Sequence, residues 1–194
     1  MPILRRETDV FPQDVFELSE TDQRWWVAKV RSRQEKALAR HLKPLGVPFY
    51  LPLREKRARR GGRVFISHLP LFPGYVFCRG PAAARLAARR TNLVARILDV
   101  ADQALLTEEL SQIRALQEAG ASLFPCPEFV TGDRVRIVEG PFKGYNGVVL
   151  RGQGRPRLLV SISMLRKAVA VEFEREMLVP APPGLAAMSP RAVA

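Results

Sequence analysis

The chain has 194 residues, 31 Lys+Arg against 19 Asp+Glu and a net charge of +12. That length suits one medium domain or two small ones, and 47% hydrophobic residues support a real core, which excludes wholesale disorder. No apolar run approaches the ~18 residues of a membrane span, the N-terminus lacks the pattern of a secretion signal, and Cys78 and Cys126 form neither a disulfide framework nor a metal-binding pair. The expectation is a soluble cytoplasmic protein with an anionic partner, no metal, no cofactor and no membrane role.

The charge is unevenly placed. Residues 1–23 carry two basic and six acidic side chains, whereas residues 24–100 carry 18 basic and three acidic, a local net of +15. Residues 101–120 return to −3 and residues 121–194 hold +4. Concentration of one sign in one stretch reads as an electrostatic footprint for a polyanion.

In chain order, residues 1–23 show no periodicity and two prolines among scattered acids, and are expected to be an acidic extension, disordered or loosely docked. Trp25 to Val30 is an aromatic and β-branched run, a strand. Ser32 with Glu35 has the spacing of a capping box, and Leu38, Leu42 and Leu45 share a face, so a helix runs from about Arg33 to Lys43, ended by Pro44 and Gly46. Val47 to Leu53 is extended. Arg54 to His68 is a basic hairpin insert centred on Gly61-Gly62. Leu69 to Cys78 is a turn feeding a strand, Pro81 opens a helix reaching Arg90, and Val94 to Val100 is another strand. Thr107 caps a helix with Glu108 and Glu109 in its first turn, burying Leu110, Ile113 and Leu116.

That order, β-α-β-β-α-β-α, predicts an antiparallel sheet covered by helices over 24–120. Residues 121–129 read as a linker. From 130 to 180 the period is 2 and glycines punctuate short runs, the pattern of a small β-barrel. Residues 181–194 are a Pro/Ala tail expected to be disordered. The fold class is therefore α+β: an N-terminal αβ sandwich with an antiparallel sheet, then a small barrel.

Two motifs carry a family resemblance. GDRVRIVEGPFKGYNGVV, from Gly132 to Val149, is similar to the KOW motif of SH3-like barrels. Trp25-Trp26-Val27 on the opening strand, with PLFPGYVF from Pro70 to Phe77, resembles the N-terminal (NGN) domain of the NusG family of transcription elongation factors. The stretch from Phe49 to Phe77 is most similar to the specialised paralogues of that family, RfaH and the capsule-operon antiterminators, with housekeeping NusG as the alternative.

The resemblance implies a monomeric transcription factor that modulates pausing, termination or antitermination. Its first domain would dock on the clamp helices of RNA polymerase through Leu71, Phe72, Pro73, Gly74, Tyr75 and Phe77, with Trp26 beside them. Arg31, Arg33, Arg40 and His41 would face DNA, His41 against the non-template strand, and the hairpin arginines Arg57, Arg59, Arg60 and Arg63 would reach phosphate at or near the upstream duplex. Long basic side chains on a glycine-tipped hairpin suit phosphate contact better than base readout. In the barrel, Phe142, Tyr145, Met164, Leu165 and Lys167 would meet Rho or the ribosomal protein that doubles as NusE. One family element is missing. The His-Thr-Thr contact of RfaH falls on Arg85 to Thr91, RLAARRT, so that contact is not expected in the same form. The β-branched Val160, Ile162, Val169 and Val171 argue for a β state of the second domain rather than the helical alternative of RfaH.

An enzyme is not expected. The basic block holds three separated acids, the two histidines are His41 and His68, and no phosphate-binding loop or cysteine nucleophile motif is present. A ribosome-associated RNA-binding protein would explain the KOW motif and the charge, but not PLFPGYVF with the aromatic opening strand.

Overall fold

The computed structural model describes residues 8–18, 23–126, 133–137, 143, 146–150, 157–172 and 178–180. They fall into two compact units, Met1–Ala104 and Leu105–Ala194.

The first unit is built on a five-stranded antiparallel sheet of β1 (Val10–Phe11), β2 (Trp25–Val30), β3 (Phe49–Tyr50), β6 (Tyr75–Arg79) and β7 (Val94–Asp99), in spatial order β1-β3-β6-β2-β7. Helices α1 (Glu35–Leu42) and α2 (Ala82–Arg90) contribute Leu38, Ala39, Leu42 and Ala88 to a core with Trp26, Ala28, Val30, Phe49, Val76 and Cys78. Leu38 and Leu42 stand four apart, so one stripe of α1 is buried while Arg40 and His41 stay in water. Strands β4 (Leu53–Arg60) and β5 (Arg63–Pro70) form a separate two-stranded hairpin, paired without a break from Leu53↔Pro70 to Arg60↔Arg63. Gly61 and Gly62 close it with φ of +54° and +75°, the pair of positive values that a two-residue I′ turn demands.

The extension, expected to be disordered or loosely docked, is docked between residues 8 and 18: β1 adds an edge strand to β3 and Val15 is fully buried. Arg79, itself 1% exposed, donates from its guanidinium to the carbonyl oxygens of Gln23 (2.5 Å), Val15 (2.8 Å) and Leu18 (2.9 Å). Phe16 packs on Trp25 and Tyr50 with ring centroids 5.8 and 5.2 Å apart, and the Arg79 guanidinium lies 5.1 Å over the Trp25 ring. Alternation sends Trp25 and Trp26 to opposite faces, yet both are buried, because this segment covers one face and the helices the other.

The capping box does not form. α1 starts at Glu35 after an uncapped Gln34, and the Glu35 carboxylate is used elsewhere, as described below. The last helix of the αβ run, α3 (Gln103–Glu118), starts four residues before the expected Thr107 cap. Gln103 there accepts from Trp25 N–H at 2.6 Å and donates to the carbonyls of Trp25 and Val100, both at 3.0 Å. Within the expected linker 121–129, Leu123–Cys126 is a strand, β8; residues 127–129 lie outside the described residues, as does the expected tail 181–194.

The second unit is a six-stranded antiparallel sheet. It comprises β8, β9 (Asp133–Ile137), β10 (Asn146–Leu150), β11 (Arg157–Ile162), β12 (Lys167–Glu172) and β13 (Leu178–Pro180), in order β13-β9-β10-β11-β12-β8. Its interior includes Leu159, Val160, Ile162 and Ala168 to Val171. The β state expected from Val160, Ile162, Val169 and Val171 is the one adopted.

Candidate functional site

The Phe-Pro-Gly turn joins β5 to β6 and is fixed from three sides. Leu71 N–H donates to Pro52 O at 2.8 Å, Val30 N–H donates to Gly74 O at 2.8 Å, and Gly74 N–H donates to Glu35 Oε1 at 2.7 Å. Tyr75 N–H closes the turn on Phe72 O at 3.1 Å. Gly74 adopts φ +87°, a conformation that side chains with a Cβ rarely take. Register places Phe77 opposite Val27 and Tyr75 opposite Lys29, on the Trp25 face of the sheet.

The structure therefore groups the expected docking residues only in part. Leu71, Phe72 and Phe77 are buried, with Phe72 edge-on to Phe77 at 5.7 Å and 89°. Pro73 is exposed, and Gly74 and Tyr75 are half-buried. Trp26 does not join them. It points to the opposite face, into the core under α1 and α2, and its expected place in the docking surface is corrected on that ground. Glu35 was overlooked as part of this turn because its spacing from Ser32 matched a helix cap, which explained it locally.

The cations form two exposed groups. In the turn between β2 and α1, Arg31 donates from Nη2 to Asn92 Oδ1 at 3.0 Å and from its backbone to Leu93 O at 2.9 Å. This brings Arg31 and its exposed neighbour Arg33 against the end of α2, where Arg89 and Arg90 are also exposed. Basic residues suit a helix C-terminus in any case, so nothing in the sequence signals the nearness of these two to Arg31. Arg40 and His41, on the last turn of α1, line a shallow cavity of about 170 Å³ with Ala37.

The hairpin is the second group. Lys56, Arg57, Arg59 and Arg63 are exposed, and the side chain of Arg60 lies outside the described residues. Arg57 Nε donates to Glu55 Oε1 at 2.6 Å. This bond lowers the Glu55 pKa below the usual carboxylate value and raises that of Arg57. Between these charges Val64, Phe65 and Ile66 are 56%, 44% and 44% exposed.

In the second unit Met164 and Leu165 are half-buried on a short 3-10 turn, Ser163–Leu165, and Lys167 is half-buried at the start of β12. Phe142 and Tyr145 lie outside the described residues. The turn is held by Glu109 of α3, a buried side chain whose Oε1 and Oε2 accept from Ser163 N–H at 2.9 and 3.2 Å. Among the described residues no three His, Cys, Asp or Glu side chains gather as metal ligands would, and no helix is long and apolar enough to cross a membrane.

Comparison with known proteins matches residues 23–117 to the family model of transcription termination factor NusG, and residues 131–151 to the KOW motif. The chain belongs to the NusG family of transcription termination/antitermination factors. It is 29% identical over 167 residues to NusG of Yersinia pestis and of Escherichia coli K12, covering 78% of this chain and 92% of theirs. Against NusG of Vibrio vulnificus it is 28% identical over 174 residues. A solved structure described as the domain interaction in Thermotoga maritima NusG aligns over 84% of this chain and all of that one. Its TM-score of 0.52 at 20% identity shows a shared fold. The NusG match takes in both tryptophans, the hairpin and the Phe-Pro-Gly turn, and starts after the docked segment 8–18.

Proposed function

We propose that this chain is a cytoplasmic, monomeric and operon-selective member of the NusG family that rides on elongating RNA polymerase and acts in antitermination. The first unit docks on the clamp helices through the Phe-Pro-Gly turn, led by Pro73 and Tyr75, with Phe72 and Phe77 as the apolar floor. The two cationic groups then face DNA: Arg31, Arg33, Arg40 and His41 the non-template strand, and Arg57, Arg59, Arg60 and Arg63 the upstream DNA. Met164, Leu165 and Lys167, with Phe142 and Tyr145, meet Rho or NusE. The protein catalyses nothing itself; its effect comes from holding polymerase and nucleic acid together.

One observation carries this reading. The Phe-Pro-Gly turn is rigidly fixed by Glu35, Val30 and Pro52 while exposed cations lie on the neighbouring turn and hairpin. An immobilised apolar knob next to exposed positive charge suits a partner made of protein and polyanion together. Long basic side chains also neutralise phosphate without reading sequence.

The test is co-elution with core RNA polymerase. Wild type should bind, and Tyr75→Ala and Phe72→Ala should each weaken binding while the protein stays folded. Binding indifferent to both substitutions would sink the docking assignment, and tight ribosomal RNA binding without polymerase binding would favour the ribosomal alternative. Polymerase occupancy across a genome, with and without the protein, separates an operon-selective factor from a housekeeping one.

A further inference from the structure

The hairpin carries an aromatic side chain that phosphate contact does not need. Phe65 is 44% exposed and pairs across the hairpin with Ala58, so nothing larger than a methyl group shares its rung. Directly paired residues lie on the same face. Going toward the turn, the next rung on that face includes Arg63; going toward the base, it is Lys56↔Ser67. Both Lys56 and Arg63 are exposed, and each lies two residues along the strand, about 7 Å, from the Phe65 rung.

The two faces differ in charge. The opposite face carries Arg57, Arg59, Val64 and Ile66, and also Glu55, which is bound to Arg57. The Phe65 face has no carboxylate between Arg54 and Pro70. An open ring bracketed by free cations is what an unpaired nucleotide fits: the base stacks on the ring and the flanking phosphates reach the cations. Duplex DNA offers no free base face, so an exposed ring adds little there.

We propose that Phe65 is a stacking platform for an unpaired base of single-stranded DNA, with Lys56 and Arg63 taking the phosphates on either side. The proposal rests on the hairpin's being a DNA contact and names which form of DNA it prefers.

The experiment uses the full chain and a short single-stranded DNA oligonucleotide carrying the fluorescent base 2-aminopurine, with a blunt duplex as comparison. Wild type should quench the probe on binding. Phe65→Leu keeps an apolar branched side chain but removes the aromatic face; it should weaken single-strand binding about tenfold or more and abolish the quenching, leaving duplex affinity unchanged. Val64→Thr, on the other face, should change neither. Single-strand binding by Phe65→Leu equal to wild type would overturn the proposal. So would parallel loss of single-strand and duplex binding in Phe65→Leu and Val64→Thr alike, the mark of a damaged hairpin. Co-elution with polymerase should be untouched by Phe65→Leu, so failure of the stacking site is distinguishable from failure of the polymerase reading.

Discussion

Glu35 shows how a single carboxylate can tie a helix to a distant turn. At the first position of α1 it stands where a helix favours an acid, yet its Oε1 accepts from Gly74 N–H, 39 residues away. A hydrogen bond to a charged group contributes about 1.5–3 kcal/mol, and here it holds the turn that presents Pro73 and Tyr75. Glu35→Ala should therefore weaken polymerase binding by about tenfold without unfolding the chain, whereas Glu35→Gln, whose amide oxygen accepts the same bond, should retain most of it. Equal binding by both variants, measured beside circular dichroism, would separate Glu35 from docking. Cys78 offers a second test. It is fully buried, and burial pushes its thiol pKa well up. A raised folded value favours the neutral thiol, so this stabilisation is present below the usual thiol range and fades as pH rises toward the folded value. In a Cys126→Ser variant, Cys78 should resist a thiol reagent near pH 8 until denaturant is added; prompt labelling of the native protein would contradict its burial.

The docked segment 8–18 shows what local pattern can and cannot reveal about an element. Its strand is two residues long, Val10–Phe11, and its binding partners are Trp25 and, much farther along the chain, Phe49, Tyr50 and Arg79. Nothing in the acids and prolines of residues 1–23 signals those contacts, and Arg79 read as one more cation of the basic block. If the segment covers the Trp25 face as described, Phe16→Ala should cost about 2–4 kcal/mol, seen as a lower urea midpoint and a red-shifted tryptophan emission. An unchanged midpoint would mean the segment adds nothing to stability. Strand β8 was hidden for a related reason: Pro125 interrupts it, and a proline argues against a strand except at an edge. β8 is an edge strand, last in the order next to β12. By contrast β2, α1, the β4–β5 hairpin, β6 and α2 were legible, because their periodicity and their glycine and proline punctuation are contained within each element. The Phe-Pro-Gly turn was legible as a motif; its clamp by Glu35 and the burial of Phe72 were not, since both depend on chain segments brought together by folding.

At the scale of the whole molecule, the net charge of +12 matters through where it stays unpaired. Of the hairpin cations whose side chains are described, Arg57 is already bound to Glu55, whereas Arg59 and Arg63 are exposed on either side of the turn. Each cation that neutralises a phosphate releases counterions, so the slope of log affinity against log salt counts such contacts at about 0.9 per phosphate on duplex DNA. Arg59→Ala with Arg63→Ala should flatten that slope by about two. Adding Arg57→Ala should change it little further, because the Arg57 guanidinium is already bound to Glu55 rather than to phosphate. Titration of the full chain against a blunt duplex over a range of salt concentrations reads both numbers directly. A slope unchanged by the double substitution would mean that the hairpin cations only keep the surface hydrated. An equal drop for Arg57 would mean that its pairing with Glu55 opens on binding.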